Sequence, residues 1–155
     1  MNEMQAIQIA FPNEPDWSAV SKEALIALVE DYISEQSCAT AALCELSRRK
    51  YDGLGGLCEF LLDAPVSDRR LRAFAMAMLL SHSPSSGFDR AHALVDDCDA
   101  TMLSEIVMAL NYEQQGPLAQ IVTIHPVVSK VKHRLTHFKA DEFEFVDAFY
   151  QRFGD

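Results

Sequence analysis

The stretch Gly56–Ser83, GLCEFLLDAPVSDRRLRAFAMAMLLSHS, decides the fold class. In its first half Leu57, Cys58, Leu61 and Leu62 recur at helical spacing, with Glu59 and Asp63 turned outward. In its second half Leu71, Phe74, Ala75, Met78 and Leu79 follow the i, i+3, i+4, i+7, i+8 rule, and Met76, Ala77 and Leu80 make the other side largely apolar too. A helix apolar on nearly all sides is normally enclosed by neighbours. Proline disfavours helical geometry in the residue before it, so Pro65 stops the first helix, and Ser67 is placed to cap the second. Two antiparallel helices joined by a tight turn follow.

Towards the amino terminus, Ser18 or Ser21 marks the start of a helix that buries Ala24, Leu25, Leu28, Val29 and Tyr32. Ser37 opens another, carrying Ala41, Ala42, Leu43 and Leu46, which the glycine-rich run Tyr51–Gly56 breaks. Residues 1–17 read differently: Ile7, Ile9 and Phe11 alternate with polar or small residues, which predicts a short strand or an extended arm ended by Pro12 and Pro15, with Trp17 packing on the helix that follows. Beyond the central pair, SHSPSSG reads as a loop, with Ser86 and Asp89 at capping-box spacing. The next helices bury Ala91, Leu94 and Val95, then Leu103, Ile106, Val107 and Leu110, and Gln115–Pro117 punctuates again. Leu118, Ile121 and Val122 suggest a short helix, and Pro126 suits a helical first turn. Val127, Val131, Leu135 and Phe138 line a helix with a basic outer face, and Asp141–Phe153 closes the chain with Phe143, Val146, Phe149, Tyr150 and Phe153.

Aligned beneath one another, these pairs repeat. Val29, Leu62, Val95 and Val122 end each first helix, 33, 33 and 27 residues apart, and Leu43, Leu79, Leu110 and Leu135 hold the matching place in each second helix. A helix-pair period in this range is the mark of an α-solenoid. The central repeat resembles a HEAT-type repeat, with Leu62, Asp63, Asp68, Leu71, Arg72, Ala75 and Leu79 at the matching positions. The resemblance covers roughly residues 22–138, and outside the central repeat Arg72 has no counterpart. It implies an all-α, HEAT-like α-solenoid of about four helical hairpins with a carboxy-terminal capping helix; a divergent helical bundle is the alternative. The expected organisation is an extended arm over residues 1–17 and one helical-repeat domain over 18–155.

With 155 residues and near-neutral hydropathy the chain can bury a real core. A net charge of −10 argues against nonspecific binding to nucleic acid or anionic membrane and favours a basic partner. Residues 1–66 hold 11 acids against 4 Lys or Arg, whereas residues 126–139 hold Lys130, Lys132, Arg134 and Lys139 with no acid. The amino terminus lacks the basic start and apolar core of a signal peptide, and no stretch approaches the ~18 apolar residues of a membrane span, so a cytoplasmic location is expected. Cys38, Cys44, Cys58 and Cys98 form no CxxC pair and read as buried free thiols.

Candidate chemistry is sparse. His133 and His137 stand at metal-capable spacing, but RLT between them lacks the metalloprotease glutamate and basic neighbours disfavour a cation; no metal or cofactor is expected. His82, His92 and His125 fall at helix ends or loops, where capping roles suffice. Gly53–Gly56 has neither a preceding strand nor a following Lys-Ser/Thr, so it reads as a turn rather than a phosphate loop. What remains is charge at turns. Glu30, Asp31, Asp63, Asp96, Asp97 and Asp99 all fall at the turn inside a repeat, more acids than capping needs, and stacking would align them on one edge, with Tyr32, Tyr112 and Trp17 as aromatic anchors. In size, charge and shape the chain resembles the helical immunity proteins of bacterial toxin systems. That resemblance implies a non-catalytic module, monomeric when free, that covers the basic active site of a nuclease-type toxin domain. A HEAT-like scaffold or cofactor-holding accessory of an enzyme is the alternative.

Overall fold

A computed structural model describes residues 1–64, 68–112, 125–138 and 146–154. The described residues carry nine α-helices and no strand, so the all-α expectation holds. The helices are α1 Glu3–Ala10, α2 Lys22–Glu30, α3 Gln36–Arg48, α4 Leu54–Asp63, α5 Arg69–His82, α6 Pro84–Leu94, α7 Ala100–Tyr112, α8 Val127–Leu135 and α9 Val146–Phe153, with a 3₁₀ turn at Trp17–Ala19. The chain divides into two compact units, Met1–Leu71 and Arg72–Asp155. Pro65 and Ser67, expected to form the central turn, lie outside the described residues, as do the expected breaker Gln115–Pro117, the short helix at Leu118–Val122, and Lys139, Asp141 and Phe143.

In the first unit α2 packs along α3 and α4 packs on both. Ser21 caps α2 by accepting from the Ala24 amide at 3.2 Å, and all five expected core residues of that helix, Tyr32 included, are buried. Leu43 and Leu46 on α3 and Leu57, Cys58, Leu61 and Leu62 on α4 close the same core. Two expectations need correction. Residues 1–17 are not an extended arm: Asn2 and Gln5 form a reciprocal capping box at 2.8 and 3.1 Å, which nucleates α1. The alternation of Ile7 and Ile9 does not track burial along a strand, since Ile7 is buried while Ile9 is 72 % exposed on the same helix. The glycine run is also not a turn throughout. Lys50, at φ 57°, ends α3 with Lys50 and Tyr51 amides donating back to Ser47 and Leu46, and Gly55 and Gly56 already belong to α4.

A partly buried ion cluster ties this unit together. The Glu45 carboxylate accepts from Arg48 Nε at 2.9 Å and from Arg49 Nε at 2.8 Å, and Arg49 Nη2 donates to the carbonyls of Trp17, Ser18 and Val20 at 3.0, 3.2 and 2.7 Å. Hydrogen bonds from Arg48, then Arg49, hold the Glu45 pKa down to about 2, from an ordinary 4.5. Because the folded-state value is the lower one, the stabilisation is present above about pH 4.5 and is lost as pH falls towards 2. Urea unfolding midpoints are therefore expected to fall through this acid window, and Glu45→Gln should remove part of that slope. Identical pH profiles for the two proteins would count against the cluster.

In the second unit α6 packs with α8, and α7 with α9. SHSPSSG is not a loop. Pro84 occupies the first turn of α6, where its missing amide costs nothing, and the helix begins one residue after Ser83. A Cβ on Gly87 would come within 2.9 Å of the Leu80 Cα, so the absent side chain is what lets α6 lie against α5. On α5 itself the buried residues are Leu71, Ala73, Ala75, Met76, Leu79 and Leu80, with Phe74 and Met78 only half-buried. The buried arc is thus turned away from the stripe that spacing alone picks out, as an almost wholly apolar helix permits. Leu103, Ile106, Val107 and Leu110 on α7, and Val127, Val131 and Leu135 on α8, are buried as expected.

The outer face of α8 is basic, but its charges serve the fold. Lys130 Nζ donates to the His92 carbonyl at 3.1 Å and Lys132 Nζ to the Phe153 carbonyl at 2.6 Å. Arg134 Nη2 donates to the Cys98 carbonyl at 2.8 Å, and Arg152 on α9 to the Leu110 carbonyl at 2.6 Å. Except for Arg134, which serves the turn before α7, each cation meets the last turn of α6, α7 or α9, where carbonyls lack helical partners and the dipole favours positive charge.

Candidate protein-binding site

The six acids expected at the repeat turns fall in two groups, one in each unit. Glu30 is the last residue of α2 and is exposed; Asp31 follows it as C-cap and accepts from Gln8 Nε2 at 3.1 Å; Asp63 is the exposed last residue of α4. Tyr32, in the turn after α2, meets Phe60, in the last turn of α4, edge to face at 6.1 Å. This contact sets the carboxy-terminal ends of α2 and α4 side by side, so Glu30, Asp31 and Asp63 leave the same end of that pair.

In the second unit Asp96 and Asp97 are exposed just past the end of α6, with Asp96 paired to Lys130 at 3.0 Å. Asp99 accepts from the Met102 amide at 2.9 Å and caps α7. Capping therefore accounts for Asp99, while Asp31 and Asp96 meet the side chains of Gln8 and Lys130. The five acids other than Asp99 stand at helix carboxy termini, where the macrodipole disfavours negative charge by roughly 0.3–1 kcal/mol each. The helix that follows Glu30 and Asp31 has Glu35 as its N-cap, and at the start of the helix that follows Asp63 the Arg70 amide donates to Asp68 Oδ1 at 2.8 Å.

The proposed aromatic anchors fare unequally. Tyr32 is 5 % exposed and belongs to the core, so its ring is not a surface anchor. Trp17 is half-buried at the 3₁₀ turn, its Nε1 facing Glu14 Oε2 at 3.5 Å. Tyr112 ends α7, and its side chain lies outside the described residues.

The histidines and thiols show how little of the remaining polar chemistry is open. The Val127 amide donates to His125 Nδ1 at 3.1 Å, which places the ring proton on Nε2, 2.9 Å from Asp89 Oδ1. Both nitrogens are thereby used, one of them in capping α8, so the ring does not present a free base. His133 and His137 are exposed and meet edge to face at 5.1 Å, with His137 Nδ1 on the His133 carbonyl at 3.2 Å. Among the described residues no group of three or more His, Cys, Asp or Glu side chains is placed to hold a metal ion. Cys38, Cys58 and Cys98 are buried, and burial pushes Cys38 and Cys58 up to about 11 and 12, which keeps these thiols protonated and weakly nucleophilic. Cys44 departs from the expected pattern: it lies on the exposed side of α3.

Sequence reasoning missed the Glu45, Arg48 and Arg49 cluster, because nothing local in SRR marks the carbonyls about thirty residues upstream that Arg49 gathers. It also placed the acids at turns without distinguishing helix ends from helix starts, a distinction that needs the boundaries themselves.

The described residues define an all-α protein in which no helix is long and apolar enough to cross a membrane. No protein-family model matches the chain, nor does any curated protein or solved structure.

Proposed function

We propose that the protein is a non-catalytic binding module that neutralises one basic protein partner, in the manner of an immunity protein covering a toxin domain, and that its helix pairs stack as a HEAT-like solenoid. The observation that carries this reading is the placement of Glu30, Asp31, Asp63, Asp96 and Asp97 at the carboxy-terminal ends of α2, α4 and α6. Acids there oppose the helix dipole; Asp31 and Asp96 have local partners in Gln8 and Lys130, whereas Glu30 and Asp97 stand exposed, and negative charge that steers a basic protein accounts for their placement. In the second unit Lys132, Arg134 and Arg152 are occupied by backbone carbonyls, while Lys130 is shared between the His92 carbonyl and Asp96, whose charge it offsets in the free protein.

The test is association with the product of the neighbouring reading frame, expected to be a basic toxin-type domain, followed by stopped flow as salt rises. Association should slow steeply with ionic strength while dissociation changes little. Replacing Glu30 and Asp97 by Lys should slow association by about tenfold and leave the melting temperature unchanged or raised, since a cation suits a helix carboxy terminus. Asp96 is left intact in this variant because it pairs with Lys130. An acidic partner, or an unchanged association rate in a folded variant, would remove the basis of the reading.

A further inference from the structure

We propose that the groove between α1 and residues 13–20 is the seat for a basic amphipathic helix of the partner. This rests on the reading of the protein as a module for a basic partner and adds where an apolar anchor enters. The groove has a volume of about 380 Å³, and its walls are Ala6, Ile7 and Ala10 of α1 facing Pro15, Ala19 and Val20. Ala6, Ala10 and Ala19 are exposed, while Ile7 and Val20 form a buried floor. An apolar trough left open in this way is where an interface concentrates its binding energy, because anchors that fill a pocket outweigh rim contacts.

Geometry and charge select the occupant. On α1 the lining residues Glu3, Ala6, Ile7 and Ala10 recur at i, i+3, i+4 and i+7, so the trough runs along one helical face for ~10 Å, two turns of a helix laid beside it. Glu3 and Asp16 stand in its lining, and Glu14 lies in the segment that forms the opposite wall. Residues 1–31, which contain the whole groove, hold six acids, Glu3, Glu14, Asp16, Glu23, Glu30 and Asp31, against one cation, Lys22, and the Arg49 guanidinium that reaches the groove wall from α3 is answered by Glu45. An acidic rim around an apolar trough complements a helix with apolar residues on one face and Lys or Arg flanking them, and repels an acidic one.

The single tryptophan supplies the readout, since Trp17 opens the 3₁₀ turn whose Ala19 lines the groove. The probe is a synthetic helical peptide of about 15 residues with Leu at i, i+3, i+4 and i+7 and Lys on the flanks, titrated into the full chain and followed by Trp17 emission. Binding is expected to be saturable and to weaken about tenfold as salt rises from ~50 mM to ~500 mM. It should weaken at least about tenfold in Ala6→Phe, which fills the trough without touching a charge. Glu14→Lys, which leaves the trough open, should weaken binding by a smaller factor and provides a second variant should Ala6→Phe fail to fold by circular dichroism. A neutral peptide with Gln in place of Lys should bind weakly. Equal binding of the Lys and Gln peptides, or no binding of the Lys peptide, overturns the assignment. So does equal binding to wild type and a folded Ala6→Phe; in that case the association experiment with the neighbouring-frame product still decides the broader reading on its own.

Discussion

Replacing Phe88 by alanine is expected to lower the stability of the fold by about 3–5 kcal/mol. Phe88 is 1 % exposed and stands one residue after Gly87, where the α6 backbone approaches Leu80 closely. Its ring also lies 5.9 Å from that of His125, itself held at both nitrogens. A void left here has little room to close. The α6 backbone cannot move further towards α5 without meeting Leu80, and the imidazole cannot swing in without breaking its bonds to Val127 and Asp89. Limited collapse places a large-to-small change at the costly end of its range. Urea unfolding monitored by circular dichroism gives the measurement, and a loss below about 1 kcal/mol would mean that the α6 packing is looser than its close approach indicates.

Phe88 also shows where the sequence stopped being legible. The periodic signal was strong wherever a helix had one polar side, and for α2, α4 and α7 it identified the core correctly: Ala24, Leu25, Leu28 and Val29; Leu57, Cys58, Leu61 and Leu62; Leu103, Ile106, Val107 and Leu110. It failed where turn-forming residues sit inside a helix. SHSPSSG has the composition of a loop, yet Pro84 is tolerated in a first turn and Gly87 is required by a neighbouring backbone, and neither reason is visible without the neighbour. The α1 error has a different origin, since three alternating apolar residues are too few to separate a period of 2 from one of 3.6; Asn2 and Gln5, three apart, were the better signal. The acids at the candidate site were legible as a count. Their meaning was not, because it depends on whether each stands at the end of one helix or the start of the next, and Lys130, which answers Asp96, lies 34 positions away.

Replacing Arg49 by alanine is expected to cost about 2–3 kcal/mol, more than an ordinary partly exposed charge, because one guanidinium serves two elements. Its Nε donates to Glu45 at 2.8 Å, and its Nη2 reaches the carbonyls of Trp17, Ser18 and Val20 at 3.0, 3.2 and 2.7 Å. Removing it leaves a buried carboxylate with Arg48 alone and releases the carbonyls of Trp17 and Ser18 within the 3₁₀ turn and of Val20, its C-cap. Lysine should recover only part of the loss: its point charge can meet Glu45 or the carbonyls, but it lacks the planar fork that meets both. The consequence extends to the groove, since Ala19 and Val20 line it and Arg49 ties their turn to α3. Arg49→Ala should therefore shift Trp17 emission towards that of exposed indole in the folded protein, and Arg49→Lys should do so less. A variant that loses stability while Trp17 emission stays at its wild-type position would show that the turn holds without the guanidinium, and would assign the stability loss to Glu45 alone.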